Sequence, residues 1–101
     1  MQFNTLVVKD VRKETSDTVS VAFTIPSDVN KADYNFIPGQ YITLKAAISG
    51  EDVRRAYSIC SSPFENELRV AIKQVPNGVF STYANTILKA GDSLDVMTPM
   101  G

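Results

Sequence analysis

The stretch Arg54-Arg55-Ala56-Tyr57-Ser58-Ile59-Cys60-Ser61-Ser62-Pro63 holds the densest set of side chains able to do chemistry. On an extended strand, Arg55 and Tyr57 point to one face, about 7 Å apart. A guanidinium fork beside an aromatic ring suits a ligand with an anionic linker and a flat ring system. The fork can grip phosphate oxygens in pairs while the ring stacks on a heterocycle. The same residue types also make a cross-strand Arg–Glu pair beside a half-buried tyrosine, which is the commoner use. Arg54 has the opposite parity and reads as a surface charge. A second stretch, Gly78-Val79-Phe80-Ser81-Thr82, is a glycine turn feeding a helical pattern. Free N–H groups and the positive end of the dipole make such a start able to take an anion. Its plainer use is a turn at Gly78 with Ser81 as helix cap. The third stretch, Phe36-Ile37-Pro38-Gly39-Gln40-Tyr41, is bend chemistry before a strand, with Tyr41 expected in the wall of the fold.

What is missing narrows the chemistry further. The chain has 101 residues, no histidine and one cysteine, Cys60. That removes the usual general base near neutral pH, the commonest zinc ligand and any internal disulfide, and leaves no metal-ligand set. Cys60 reads as a small packing residue. Ten basic against eleven acidic residues leave a net charge of −1, which argues against nucleic acid or an anionic membrane as partner. The opening Met1-Gln2-Phe3-Asn4 lacks a basic leader, and apolar runs such as Leu6-Val7-Val8 are three residues long, so neither a leader nor a membrane span is expected. A cytoplasmic protein is the expectation. Demanding chemistry must then come from a bound cofactor or another domain.

The elements that position these residues are mostly strands. Val19, Val21, Phe23 and Ile25 alternate with polar or small residues, as do Ile42, Leu44, Ala46 and Ile48. Leu68, Val70 and Ile72 alternate with Arg69, Ala71 and Lys73, and Leu94 and Val96 with Ser93 and Asp95. Segments 6–13 and 55–61 complete about six strands. Ser49 to Asp52, Pro63 to Asn66 and Pro76-Asn77-Gly78 separate them, and 28–35 reads as a surface loop or short helical turn. One segment changes period: Phe80, Tyr83, Ala84, Ile87 and Leu88 fit an amphipathic helix, capped by Ser81, favoured by Lys89 at its end and stopped at Gly91. These elements predict one all-β domain over 1–101, a small antiparallel barrel with one short α-helix before the last strand; a β-sandwich is the structural competitor.

Taken in order, Pro38-Gly39-Gln40-Tyr41, Arg55-Ala56-Tyr57-Ser58, Gly78-Val79-Phe80-Ser81 and Thr98-Pro99-Met100-Gly101 resemble the flavin domain of the ferredoxin–NADP reductase superfamily. The wording Arg-Arg-Ala-Tyr-Ser-Ile-Cys, with Leu-Lys-Ala at 44–46, is most similar to reductase components of bacterial oxygenases, particularly those of the phenylacetyl-CoA epoxidase kind. The resemblance implies a six-stranded Greek-key barrel that binds FAD. It gives Arg55 the pyrophosphate, Tyr57 the isoalloxazine face and Ser58 a catalytic hydrogen bond near flavin N5, with Ala56 in the same motif. Ala71, Ile72 and Lys73 would line the flavin or ribityl chain, partly through backbone groups. Gly78, Val79, Phe80 and Ser81 would close over the pyrophosphate. Ser58 and Tyr57 have opposite parity, so both reach one flavin only if the strand twists or ends there. The resemblance also implies an NAD(P)-binding domain after the barrel and an iron–sulfur domain or protein; neither has its motifs in these residues, so an excised domain is expected. The rival reading is a non-catalytic barrel that binds a protein or an oligonucleotide. A riboflavin-synthase-like barrel is a third, less suited to the Gly-x-x-Ser helix start.

Overall fold

Alternating side chains become six antiparallel strands in a computed structural model that describes residues 2–101. In chain order they are β1 (Phe3–Thr15), β2 (Thr18–Thr24), β3 (Tyr41–Ile48), β4 (Glu51–Ser58), β5 (Leu68–Lys73) and β6 (Ser93–Met97). The helix α1 (Val79–Thr86) lies between β5 and β6, and single 3-10 turns occupy Lys31–Tyr34 and Pro63–Glu65. The sheet order is β4-β3-β6-β1-β2-β5, so β6 returns to lie between β3 and β1 by Greek-key routing. The ends of the two edge strands meet. Ile59 bridges Val70, and the Cys60 N–H donates to the Arg69 carbonyl at 2.8 Å. The sheet therefore curls into a barrel that stays open along most of β4. Among the described residues no helix is long and apolar enough to cross a membrane.

The strand period sends Leu6, Val21, Ile42, Leu44, Val70, Ile72 and Val96 fully inside. Each such side chain contributes about 1.5–3 kcal/mol of burial. Phe80 and Ala84 add one face of α1 to the same core. One irregularity shapes the outer surface. Between Val8, opposite Phe23, and Asp10, opposite Ala22, the β1–β2 register shifts by one residue. Without this bulge Asp10 would follow Val8 into the core; with it the carboxylate turns outward.

Several boundaries differ from the sequence expectation. The β3–β4 turn uses only Ser49 (φ 51°) and Gly50 (φ 79°), the left-handed pair of a two-residue hairpin, so Glu51 and Asp52 belong to β4 rather than to a polar break. The 28–35 segment includes a 3-10 turn whose Tyr34 is buried, its hydroxyl donating to the Val96 carbonyl at 2.6 Å. The α1 N-cap is Gly78, not Ser81, and the helix ends before Ile87, short of Lys89 and Gly91. Ile87 is 64% exposed, because the backbone leaves helical geometry there and turns the side chain off the buried stripe. Cys60 is exposed rather than packed.

Candidate functional site

In the β3–β4 pair, Leu44 stands opposite Arg55 and Ile42 opposite Tyr57. Opposed residues share a face, so Arg55 and Tyr57 lie on the side of the sheet that buries Leu44 and Ile42. An arginine on that side is tolerable only because β4 is an edge with open space beyond it. Arg55 is exposed there. Its Nη1 donates to the neighbouring Arg54 carbonyl at 2.6 Å, and among the described residues no carboxylate pairs with it. The Arg–Glu pair that the residue types also allowed does not form. Arg54 instead faces the other way, pairs with Asp52 at 3.1 Å and lies over the Phe3 ring.

Tyr57 is half-buried, and its ring centroid is 5.9 Å from that of Phe80 on α1. Burial pushes its phenol above the ordinary value, with the nearby Arg55 charge pulling weakly the other way, so the hydroxyl stays neutral at physiological pH. Ala56 and Ser58 are exposed on the opposite face. Ser58 is the last residue of β4, after which Ile59 turns in to bridge Val70. The Gln40 carbonyl accepts the Ile59 N–H at 3.0 Å, and Tyr41 exchanges two 2.9 Å bonds with Met100. The Pro38-Gly39-Gln40-Tyr41 bend, with Gly39 at φ 91°, thus fixes where β4 stops. The strand ends at Ser58, but Ile59 is buried again on the Tyr57 side, so the alternation runs through Ser58 and its side chain stays on the face opposite Tyr57.

The helix start borders Tyr57 through Phe80. Gly78 caps α1 with no side-chain hydrogen bond, so the N–H groups of the first turn, at Val79, Phe80 and Ser81, have no side-chain cap. Gly78 is needed for space rather than for φ. A Cβ there would collide with the Ser81 hydroxyl oxygen and approach Val75 Cγ2 to 2.6 Å. Ser81 is buried; its Oγ accepts the Val75 N–H at 3.2 Å and donates to the Gly78 carbonyl at 3.3 Å. The hydroxyl therefore locks the 75–81 turn, whereas Val79 is half exposed. An uncapped helix start, an unpaired guanidinium and an aromatic face fit a phosphate-linked flavin.

On β5 the three expected residues divide. Ile72 is fully buried, so its side chain cannot touch a ligand, and its carbonyl accepts from Asn85 Nδ2 at 3.1 Å. Ala71 and Lys73 are exposed on the outer face. The Arg69 carbonyl meets Cys60 on the free side of β5, and the two-residue period turns the backbone groups of Ala71 and Lys73 to that same side. Asn85 is a structural residue that the sequence reading does not single out. Its amide ties the Ser81 carbonyl, at 2.9 Å, to the Ile72 carbonyl and so joins α1 to β5. The available signal is an amide four residues after Ser81 on a short helix.

Comparison with known proteins gives the family of the chain. Residues 5–101 match the family of oxidoreductase FAD-binding domains. The chain is 44% identical over 99 residues to a component of the 1,2-phenylacetyl-CoA epoxidase of Escherichia coli (strain K12), covering 98% of this chain and 28% of that protein. A solved flavohemoglobin from Malassezia yamatoensis with bound FAD and heme superposes with a TM-score of 0.85 at 28% identity, over 100% of this chain and 26% of that one. The ferredoxin reductase in carbazole 1,9a-dioxygenase superposes with a TM-score of 0.77 at 33% identity, over 99% and 30%. The chain therefore spans less than a third of the length of each of these proteins. With a barrel, an edge-strand arginine and a helix start that suit a flavin dinucleotide, the chain belongs to the oxidoreductase FAD-binding domain family.

Proposed function

We propose that this barrel holds the FAD of an NAD(P)H-dependent reductase that passes electrons to an iron–sulfur partner, as the reductase component of a bacterial aromatic-ring oxygenase. The nicotinamide-binding and iron–sulfur parts belong to other domains or chains of that protein. NAD(P)H is held inside cells, which puts the reductase in the cytoplasm. Bound FAD supplies the hydride-accepting and electron-releasing chemistry, and the barrel binds and orients it.

Each residue has a distinct task. Arg55, free of any carboxylate among the described residues, binds the diphosphate, each charge-assisted hydrogen bond contributing about 1.5–3 kcal/mol. The N–H groups of Val79, Phe80 and Ser81 bind its other side, with Gly78 letting the 75–81 turn close against Ser81 and Val75. Tyr57, braced by Phe80, offers its ring to the isoalloxazine. Ser58, the last residue of β4, offers its backbone N–H, on the open edge of the strand, at flavin N5. Ala71 and Lys73 contribute backbone groups on the free side of β5, and Ala56 keeps the outer face of the motif slim. The single observation that carries this reading is the unpaired Arg55 on the inward face of an edge strand, beside a tyrosine packed on an uncapped helix. Protein mixed with FAD and freed of excess should be yellow with one flavin per chain, and Arg55→Ala should weaken binding about 10- to 100-fold. A colourless wild type, or an Arg55→Ala protein that holds FAD equally well, would overturn the reading in favour of a cofactor-free interaction module.

A further inference from the structure

The Asn85 amide is engaged on one side and orphaned on the other. Its Nδ2 donates to the Ser81 carbonyl at 2.9 Å and to the Ile72 carbonyl at 3.1 Å. Both partners are acceptors, so the nitrogen has to face them and the oxygen has to face away. That oxygen, Oδ1, is shut off from solvent and meets no donor among the described residues. A buried acceptor without a partner is destabilising, and a leucine of similar volume would fill the space without it. Stability alone therefore does not account for an amide at this position.

The two carbonyls belong to the two parts of the chain that meet a flavin in the reading above. Ser81 supplies one of the N–H groups of the helix start, and its hydroxyl already closes on the Val75 N–H and the Gly78 carbonyl. Ile72 lies between Ala71 and Lys73, whose backbone groups face the free side of β5. The chain passes from β5 to α1 through a turn that holds a half-exposed Val75, Pro76 and Asn77 at φ 62°. Among the described residues, the bond from Asn85 to Ile72 is the one hydrogen bond that runs directly from α1 to β5. We infer that Asn85 is a positioning residue: its amide sets the helix start against the free edge of β5 at the separation that one flavin dinucleotide requires. The inference rests on the flavin reading and adds the residue that holds two sides of that site together.

FAD affinity is to be measured by fluorescence titration for wild type, Asn85→Leu and Asn85→Asp, beside thermal melting of each protein without FAD. Asn85→Leu keeps the volume and sheds the orphaned oxygen, so it should melt within about 4 °C of wild type. It should nevertheless bind FAD about five- to tenfold more weakly, a split between stability and affinity that a merely structural amide would not produce. Asn85→Asp supplies a rescue within one protein. Ionised, the carboxylate repels the Ser81 and Ile72 carbonyls; protonated, its O–H donates to one of them. FAD affinity of this variant should rise about threefold or more as pH falls from about 8 to about 5, while wild type stays flat. Circular dichroism at each pH checks that the protein titrated is folded. A folded Asn85→Leu protein that binds FAD as wild type does would overturn the positioning role and leave the flavin reading intact. So would an Asn85→Leu protein that fails to fold together with an Asn85→Asp affinity that does not recover at low pH, which would make the amide a folding residue only. Failure of wild type to bind FAD would remove the flavin reading itself.

Discussion

Arg55 and Arg69 sit on the two edge strands of one sheet, and they have opposite surroundings. Arg69 on β5 is 5% exposed and fully engaged. Its Nη1 donates to Ser20 Oγ at 2.7 Å, its Nη2 to Asp10 at 2.8 Å and its Nε to Glu67 at 3.1 Å. Ser20 in turn donates to Glu14 at 2.6 Å. Arg55 on β4 is exposed, bonds only the adjacent carbonyl and has no acidic partner among the described residues. One arginine closes the outer face of the barrel; the other is left with unused donors beside an aromatic ring. A guanidinium that the fold does not consume remains available to bind a ligand, and that contrast separates the structural arginine from the binding one.

Substitution should break the pair apart. Arg69→Met should cost the most stability, because it strands the Asp10 and Glu67 carboxylates against the sheet. Losing one partner of a buried pair costs about 3–5 kcal/mol, and since both carboxylates retain water the expected loss is about 2–3 kcal/mol by urea unfolding. FAD affinity of the folded fraction should not change. Arg55→Ala should do the reverse: stability within about 0.5 kcal/mol of wild type, with the loss confined to FAD binding. Equal destabilisation by the two variants would erase the distinction.

The helix start gives an intermediate effect. Gly78→Ala drives a methyl into the Ser81 hydroxyl and Val75, an overpacking cost of about 1–3 kcal/mol. Ser81→Ala removes the acceptor of the Val75 N–H, about 1 kcal/mol. The double variant should lose less than the sum, because the smaller residue at 81 makes room for the new methyl; strict additivity would mean that Gly78 serves something other than this contact.

The smallest effect is on pH. Hydrogen bonding from Arg69, then its charge and that of Lys9, hold the Glu67 carboxyl below its ordinary value of 4.5. A carboxyl depressed by folding stabilises the native state fully above its unfolded value. That stability is lost as pH falls through the lower folded value. Wild type should therefore lose stability on acidification below about pH 4.5, and Arg69→Met should show a flatter slope there. Identical slopes would detach Glu67 from Arg69.

Period-two alternation and the Gly and Pro turns are enough to place all six strands and the single helix, because one-sided burial imposes that pattern locally. The Arg-x-Tyr-Ser and Gly-x-x-Ser stretches stand out for the same reason: strand parity and helix-start chemistry are written within a few residues. Ser81 reads as a cap by position but is not one, since its real partner, the Val75 N–H, depends on how the 75–81 turn closes. Ile72 looks available in the strand pattern, yet packing seals its side chain inside. Arg69 looks like any outward polar residue of β5, and nothing near it in the chain reveals Asp10, 59 residues away, or the bulge after Val8 that turns that carboxylate towards it. Residue types and spacing thus determined which elements form and which side chains could bind a diphosphate. Only the curled sheet decided which arginine is neutralised and which is left free, because ion pairing depends on through-space neighbours that chain order does not encode.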